Sequence, residues 1–169
     1  MQSEILPQTD KDRVIIQITD THLMDKPDAE FVGINPEESF HAVMDDIQQR
    51  YKNIDLILHT GDLAQAAFPE TYARYLEYMQ RFGVDFYQIP GNHDNINLFP
   101  FHSPEPIPAV IELDQWRIIL LNSAVGGRTD GNIQTEQLVH LKRLLEQLRD
   151  KFILIACHHN PFDMHSKWL

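Results

Sequence analysis

Short apolar runs alternate along this chain with segments in which apolar residues recur at helical spacing. This alternation constrains the fold more than any other feature, because it predicts strands separated by amphipathic helices. Most of the runs are apolar throughout, as expected of strands that are buried on both faces. The fold class is therefore predicted to be α/β. The predicted strands are Val14 to Ile18, Leu56 to Leu58, Phe86 to Ile89, Val110 to Leu113, Ile118 to Leu121 and Phe152 to Ala156.

Three helices are predicted between these strands, each with an apolar stripe that we expect to lie in the core. The first has Asn35 as its N-cap, Pro36 as its first residue and Glu38 in its first turn. This combination is typical of helix N-termini. The second begins at Pro69 and ends before Gly83. The three stripes are Phe40, Val43, Met44, Ile47 and Tyr51; Tyr72, Tyr75, Leu76 and Met79; and Leu138, Leu141, Leu144, Leu145 and Leu148.

A chain of 169 residues is the size of one domain. Its 14 basic and 25 acidic residues give a formal net charge of −11, and the basic residues form no cluster. This argues against a nucleic-acid partner, because phosphate backbones are bound by clustered positive charge. Residues 1–12 are polar, unlike a signal peptide, and are predicted to form a flexible N-terminus. No apolar segment is long enough to cross a membrane, so we expect a cytoplasmic protein without a membrane partner.

Cys157 is the only cysteine, which excludes an internal disulfide and a zinc site built from cysteines. A metal site would instead need His, Asp, Glu and Asn side chains, and the chain contains nine histidines. Side chains of these types follow four of the predicted strands. The four segments are Thr19-Asp20-Thr21-His22, His59-Thr60-Gly61-Asp62, Pro90-Gly91-Asn92-His93-Asp94 and Cys157-His158-His159-Asn160-Pro161.

These four segments are expected to meet at one edge of the sheet, because ligands of open α/β sheets bind beyond the carboxyl ends of the strands. Each segment alone has an ordinary structural explanation, since Asp caps helices and Gly-Asn forms turns. Their joint occurrence favours a site for two divalent metals, which accept carboxylate, imidazole and amide ligands. The other histidines are interpreted as structural: His41, His59, His102, His140 and His165.

The same segments resemble a known family. The calcineurin-like metallophosphoesterases have similar motifs in the same order, here Asp20-Thr21-His22, Gly61-Asp62, Gly91-Asn92-His93-Asp94 and His158-His159. Longer segments resemble the bacterial class III 3′,5′-cyclic AMP phosphodiesterases: Gln17 to Leu23, Val32 to Asn35, Thr60 to Gln65, Pro90 to Asp94 and Leu121 to Ser123. The resemblance extends from Val14 to Leu169. It implies two mixed sheets flanked by helices, and a cyclic nucleotide as the small-molecule partner.

The resemblance also implies a centre of two divalent metal ions, which could be Fe, Mn or Zn. Asp20 and His22 would bind one ion, Asn92 and His158 would bind the other, and Asp62 would bridge the two. A bridging carboxylate offsets the repulsion between two dications about 3.5–4 Å apart. The water between the ions, its pKa lowered by both charges, would be the nucleophile.

Three residues beside these ligands receive roles from the same resemblance. His93 would be the general acid that protonates the leaving 3′ oxygen, and Asp94 would orient it. His159 is expected behind the ligands, where it would support them without binding a metal. Together these roles imply hydrolysis of 3′,5′-cyclic AMP to 5′-AMP.

One family motif is absent from these residues. The family pattern ends in Gly-His-x-His, whose two histidines complete the coordination of both metals, and this sequence does not contain it. Residues 13–169 are therefore interpreted as the N-terminal portion of a metallophosphoesterase domain that is incomplete at its C-terminus. We expect an unpaired strand edge and an apolar face beside Phe152 to Ala156, and weak or no hydrolysis by the 169-residue chain.

Three functions stay open at this point. The first is a cyclic-nucleotide phosphodiesterase. The second is a two-metal hydrolase of another phosphodiester or of a pyrophosphate, against which Val32 to Asn35 and Thr60 to Gln65 argue. The third is a non-catalytic remnant or binding module, which the missing motif favours over an intact enzyme for this chain.

Overall fold

The computed structural model describes residues 12–103, 107–162 and 164–165 and has an α/β fold. Residues 1–11 of the predicted flexible N-terminus lie outside the described residues. The predicted strands and helices all occur, and the strand ends shift by at most two residues. None of the described helices is long and apolar enough to span a membrane. In chain order the elements are β1 (Ile15–Ile18), α1 (Pro36–Arg50), β2 (Leu56–His59), α2 (Pro69–Phe82), β3 (Phe86–Gln88), β4 (Ala109–Leu113), β5 (Trp116–Leu120), α3 (Thr135–Gln147) and β6 (Phe152–Ala156).

The six strands form two sheets of three strands each. In the first sheet, β2 lies between β1 and β3 and pairs with both in parallel. The helical connections α1 and α2 explain this, because parallel neighbours need a crossover. In the second sheet, β5 pairs antiparallel with β4 and parallel with β6. The resemblance implied two mixed sheets, but in the described part of the chain only the second sheet is mixed.

Strand β2 is buried on both faces and separates two apolar cores. On one face, Ile57 packs with aromatic residues of α1 and α2 such as Tyr75. On the other face, Leu56 and Leu58 pack with residues of the second sheet such as Ile118. Side chains alternate between the faces along a strand, which explains why the run is apolar throughout. The fold thus has a helix layer, the first sheet and the second sheet in that order.

Helix α1 begins, and helix α2 begins and ends, where the sequence predicts. The Asn35 side-chain oxygen accepts hydrogen bonds from the N–H groups of Glu37 and Glu38 at 2.9 and 3.2 Å. Helix α2 begins at Pro69 and stops at Gly83, whose φ of 72° lies in the left-handed region that favours glycine. Buried in the core, as predicted, are the stripe residues Phe40, Met44, Tyr72, Tyr75 and Met79.

The leucine stripe of α3 does not lie in the core, and this prediction was wrong. Leu138 and Leu145 are 47% and 37% exposed, and Val43 of α1 is likewise 49% exposed. The buried residue of α3 is Gln137, whose side chain donates to the Asn122 carbonyl and accepts the Asn122 N–H, both at 2.8 Å. Helical spacing shows which side chains share a face, but not whether another element covers that face.

Strand β6 lies at the edge of the second sheet in the described part of the chain. Phe152 and Ile155 of this strand are 61% and 45% exposed. The Phe152 ring lies against Trp116 of β5, with centroids 5.2 Å apart. These observations agree with the unpaired edge and the apolar face that the sequence predicts beside β6.

Candidate metal centre

The loops that follow β1, β2, β3 and β6 meet at one edge of the fold. The N–H groups of Asp20 and His22 donate to the carbonyls of Gly61 and Asp62 at 2.9 and 3.0 Å, which joins the first two loops. The His93 N–H donates to the Asp62 carboxylate at 2.8 Å, which adds the third loop. A cleft at this edge is lined by most of the residues that the sequence singles out: Asp20, His22, Asp62, Asn92, His93, His158 and His159.

The potential ligand atoms in this cleft form two overlapping groups. One group consists of His22, Asp62 and His93, and the other of Asp20, Asp62 and His158. Within each group the ligand atoms all lie within 4.8 Å of one another. The buried Asp62 carboxylate belongs to both groups, as a bridging ligand must. The pairing of Asp20 with His22 on one ion, which the resemblance implied, stays a prediction.

The distances between these side chains fit metal coordination better than direct hydrogen bonds. Asp62 Oδ2 lies 3.9 Å from His22 Nε2 and 3.6 Å from His158 Nε2. Asp20 Oδ1 lies 3.7 Å from His22 Nε2. A hydrogen bond would be about 2.7–3.2 Å long. Two ligands that are each about 2.0–2.2 Å from one ion are instead about 3–4 Å apart, so the side chains fit a divalent metal.

The His158 imidazole is oriented for metal binding. Its Nδ1 lies 2.8 Å from the Thr60 carbonyl oxygen, which can only accept, so Nδ1 carries the proton. Nε2 consequently has a free lone pair on the side of Asp62. The ring lies against Gly61, where a Cβ atom would be 2.4 Å from Nδ1. Only glycine permits this approach, and its φ of 112° also favours glycine.

Three of the predicted ligands have strained backbones. Asp20, His22 and Asp62 have φ values of 56°, 48° and 51°, in the left-handed region. A residue other than glycine is uncommon there, and such strain costs on the order of 1–3 kcal/mol per residue. The backbone hydrogen bonds between the first two loops hold this geometry. Strained residues of this kind cluster at functional sites, which supports a function for this edge of the fold.

The Asp94 carboxylate has other partners than the His93 ring, which it was predicted to orient. The Asp94 carboxylate accepts from the Gly91 N–H and from two N–H groups of the loop after β2, at 2.9–3.1 Å. It also accepts from the Tyr72 hydroxyl at 3.1 Å. Burial raises the pKa of Asp94, and these four hydrogen bonds oppose the rise. No hydrogen bond of the described residues joins Asp94 to the His93 imidazole, so Asp94 holds the loop rather than the ring.

His93 lies at the rim of the cleft and is exposed. Its ring meets His22 edge-to-face, with centroids 5.0 Å apart. One of its ring nitrogens belongs to the ligand group with His22 and Asp62. Asn92 lines the same cleft. The geometry therefore allows His93 to be a metal ligand or a proton donor, and the resemblance implies the second role.

His159 lies beside His158, with ring centroids 4.9 Å apart and the planes nearly perpendicular. Its Nδ1 lies 2.8 Å from the Ser123 hydroxyl, which also accepts the His159 N–H at 3.2 Å. A Cβ atom on Gly131 would be 2.2 Å from this ring, so the loop after β5 closes over it. Burial lowers the pKa of His159, which favours the neutral ring.

Residues 13–169 match the family described as Calcineurin-like phosphoesterase. The chain belongs to this family. It is 35% identical over 174 residues to the 3′,5′-cyclic AMP phosphodiesterase CpdA of Haemophilus influenzae, covering 100% of this chain and 64% of the relative. For CpdA of Escherichia coli K12 the identity is 34%, over 97% of this chain and 62% of the relative. A probable glycerophosphodiester phosphodiesterase GpdQ of Arcobacter nitrofigilis is 29% identical, over 88% of this chain and 57% of the relative. The chain thus spans less than two thirds of these relatives.

Some contacts that support the candidate metal centre could not be found from the sequence. His59, interpreted as structural, is buried between the first two loops. Its Nδ1 accepts the Gly61 N–H at 3.4 Å, and its Nε2 lies 3.0 Å from the Thr21 hydroxyl, which donates to the Leu63 carbonyl. Burial lowers the pKa of His59 to about 3, so the ring stays neutral. No local signal reveals such contacts, because Thr21 and His59 are 38 residues apart. The hydrogen bond from the Tyr72 hydroxyl to Asp94 was likewise not predicted, because Tyr72 was interpreted only as a core residue.

We expect Gly91→Ala to damage the candidate metal centre. A Cβ atom at this position would lie 2.2 Å from Asp62 Oδ1 and 2.4 Å from the Asp62 backbone nitrogen. Displacement of Asp62 is expected to lower the free energy of unfolding by about 1–3 kcal/mol and to weaken Mn²⁺ binding by roughly 10- to 100-fold. Urea unfolding and calorimetric Mn²⁺ titration measure the two effects. Gly126→Ala is the matched control, since its nearest neighbour would be 3.5 Å away; wild-type Mn²⁺ affinity in Gly91→Ala would contradict the expectation.

Proposed function

We propose that this protein is a two-metal phosphodiesterase that hydrolyses 3′,5′-cyclic AMP to 5′-AMP. The observation that carries the proposal is the buried Asp62 carboxylate, which two groups of potential ligands share. One bridging carboxylate between two ligand groups is what a two-metal phosphodiesterase needs. The relatives named as cyclic AMP phosphodiesterases support the same substrate.

Five side chains would hold the metals, which we propose to be two ions of Fe, Mn or Zn. When bound, such ions would supply a nucleophilic water of lowered pKa and positive charge that stabilises the transition state. The strained backbones and the proton on His158 Nδ1 arrange the ligand atoms in advance. The five proposed ligands are Asp20, His22, Asp62, Asn92 and His158.

His93 would donate a proton to the leaving 3′ oxygen. Its position at the rim of the cleft gives it access to a substrate, and its backbone N–H donates a hydrogen bond to the Asp62 carboxylate. Asp94 would act through the loop backbone, which keeps His93 beside the metals. His159 would support the ring of His158.

Two further assignments accompany this proposal, one for the extent of the domain and one for the location and partners of the protein. Residues 13–169 would form the N-terminal portion of a metallophosphoesterase domain. A cytoplasmic location, and the lack of nucleic-acid and membrane partners, stay predictions from the sequence.

Another phosphodiester is a second candidate substrate, because one relative is named a probable glycerophosphodiester phosphodiesterase.

The experiment compares the 169-residue chain with the same chain joined to the C-terminal segment of a relative. We expect the joined protein to hydrolyse cyclic AMP in the presence of Mn²⁺. The 169-residue chain is expected to bind Mn²⁺ weakly and to hydrolyse little, because misalignment near 1 Å can cost about 10²-fold in rate. Rates are measured for cyclic AMP, a glycerophosphodiester and an aryl phosphodiester over a range of Mn²⁺ concentrations.

The outcomes of this experiment distinguish the candidate functions and test whether the added segment is needed. Faster turnover of the glycerophosphodiester would favour the second substrate class. A joined protein that binds two Mn²⁺ ions without hydrolysing any substrate would favour a non-catalytic binding module. Equal activity of the two proteins would show that the added segment is dispensable and that the expected weakness of the 169-residue chain is wrong.

A further inference from the structure

An apolar groove adjoins the metal centre and has no role in the mechanism above. We call it the side groove; its volume is about 460 Å³, within the range of about 300–1,000 Å³ typical of small-molecule sites. Asp20 and His22 line it and also line the metal cleft. Phe31, Val32 and Val43 are among its apolar lining residues. The side groove is therefore continuous with the metal centre.

Phe31 to Ile34 form a tight hairpin on the side groove. The Phe31 N–H donates to the Ile34 carbonyl at 2.8 Å, and the Ile34 N–H donates to the Phe31 carbonyl at 3.1 Å. The two central residues, Val32 and Gly33, have φ values of 53° and 78°. Positive φ at both central residues is the pattern of a type I′ turn, which favours Asn-Gly or Asp-Gly. A β-branched valine at this position is strained.

Burial does not offset this strain. Val32 is 86% exposed and Ile34 is 62% exposed, although both line the side groove. Neighbouring exposed apolar side chains beside a groove are typical of binding surfaces, and backbone strain is concentrated at ligand sites. A ligand that covers Val32 and Ile34 would explain both the strain and the exposure.

The position of Phe31 indicates what that ligand is. Its ring lies against that of His22, with centroids 5.8 Å apart, which places it next to the candidate metal centre. A phosphodiester with its phosphate at the metals has a substituent that can extend into the side groove. Apolar and aromatic walls suit a planar nucleobase and offer little to a glycerol group.

We propose that the side groove binds the nucleobase of the nucleotide substrate, with Val32 and Val43 among the apolar residues that contact it. This inference rests on the proposed function, because the metal centre sets the position of the phosphate. It adds a binding site for the base to a centre that by itself recognises only phosphate.

Val32→Asn tests the proposal, because asparagine suits the turn but removes the apolar contact. Calorimetry measures the binding of 5′-AMP and of ribose 5-phosphate to the 169-residue chain at saturating Mn²⁺. We expect Val32→Asn to bind 5′-AMP about 3- to 30-fold more weakly. It should bind ribose 5-phosphate unchanged and unfold at an equal or higher temperature, whereas a purely structural role would leave 5′-AMP binding unchanged.

Two further variants complete the experiment. Val43→Ser, which changes a second apolar residue of the side groove, is expected to weaken 5′-AMP binding by a similar factor. Val139→Asn, an exposed valine of α3 outside the side groove, is the matched control and should bind both ligands as the unmodified chain does. Unchanged 5′-AMP affinity in Val32→Asn and Val43→Ser, or equal loss of both ligands, would overturn the proposal. The same titrations are carried out on the joined protein, and its failure to bind Mn²⁺ and both ligands would contradict the proposed function instead.

Discussion

Asp62→Asn is expected to abolish the binding of two metals and to lower phosphodiesterase activity by on the order of 10³-fold or more, since metal ions stabilise the transition state by several kcal/mol. The Asp62 carboxylate belongs to both potential ligand groups and is 4% exposed. Asparagine keeps the size of the side chain and can still accept the His93 N–H, but it has lost the negative charge that two dications need between them. Calorimetric Mn²⁺ titration of the 169-residue chain gives the stoichiometry, and the joined protein gives the rate.

A carboxylate outside the cleft supplies the control for Asp62→Asn. Asp150 is exposed near the end of α3, with a side chain that is 76% accessible. Asp150→Asn makes the same chemical change and is expected to leave both Mn²⁺ binding and activity unaltered. Urea unfolding without metal separates the loss of a ligand from the loss of the fold. Two tightly bound Mn²⁺ ions in Asp62→Asn would show that this carboxylate is not the bridge.

His93→Ala is expected to lower kcat by about 10²- to 10⁴-fold while the number of bound metals stays the same, because removal of a general acid costs about this much. The measurement is steady-state hydrolysis of cyclic AMP by the joined protein, together with Mn²⁺ stoichiometry. The alternative is that His93 binds a metal, since one of its ring nitrogens lies in a potential ligand group with His22 and Asp62. If His93 were a ligand, Mn²⁺ binding and kcat would fall together.

The control for His93→Ala is a histidine that lines neither the cleft nor the side groove. His140 lies on α3 and is partly exposed. His140→Ala is expected to retain wild-type kcat and metal stoichiometry. A kcat of His93→Ala equal to that of this control would remove His93 from the mechanism.

The secondary structure could be predicted because its signals are local. The Asn35 side chain bonds to N–H groups two and three residues away, and Gly83 ends α2 through its own backbone conformation. A short segment of sequence contains both partners of such interactions. The leucines of α3 show the limit, because whether their face is covered depends on elements far away along the chain.

The sequence by itself determined which residues are available for the site, since polar side chains follow four strands whose ends meet in an α/β fold. The tertiary structure alone decided how these residues are arranged: Asp62 within reach of Asp20, His22 and His158, Asp94 on backbone N–H groups, and a strained Val32 next to the candidate metal centre. The physical reason is that these interactions act over short distances in space between residues that are far apart in sequence. A hydrogen bond or a metal ligand group is set by distances of about 2–4 Å, and the partners here are as far as 98 residues apart in sequence, as for Thr60 and His158. Such distances exist only after the two sheets have packed together.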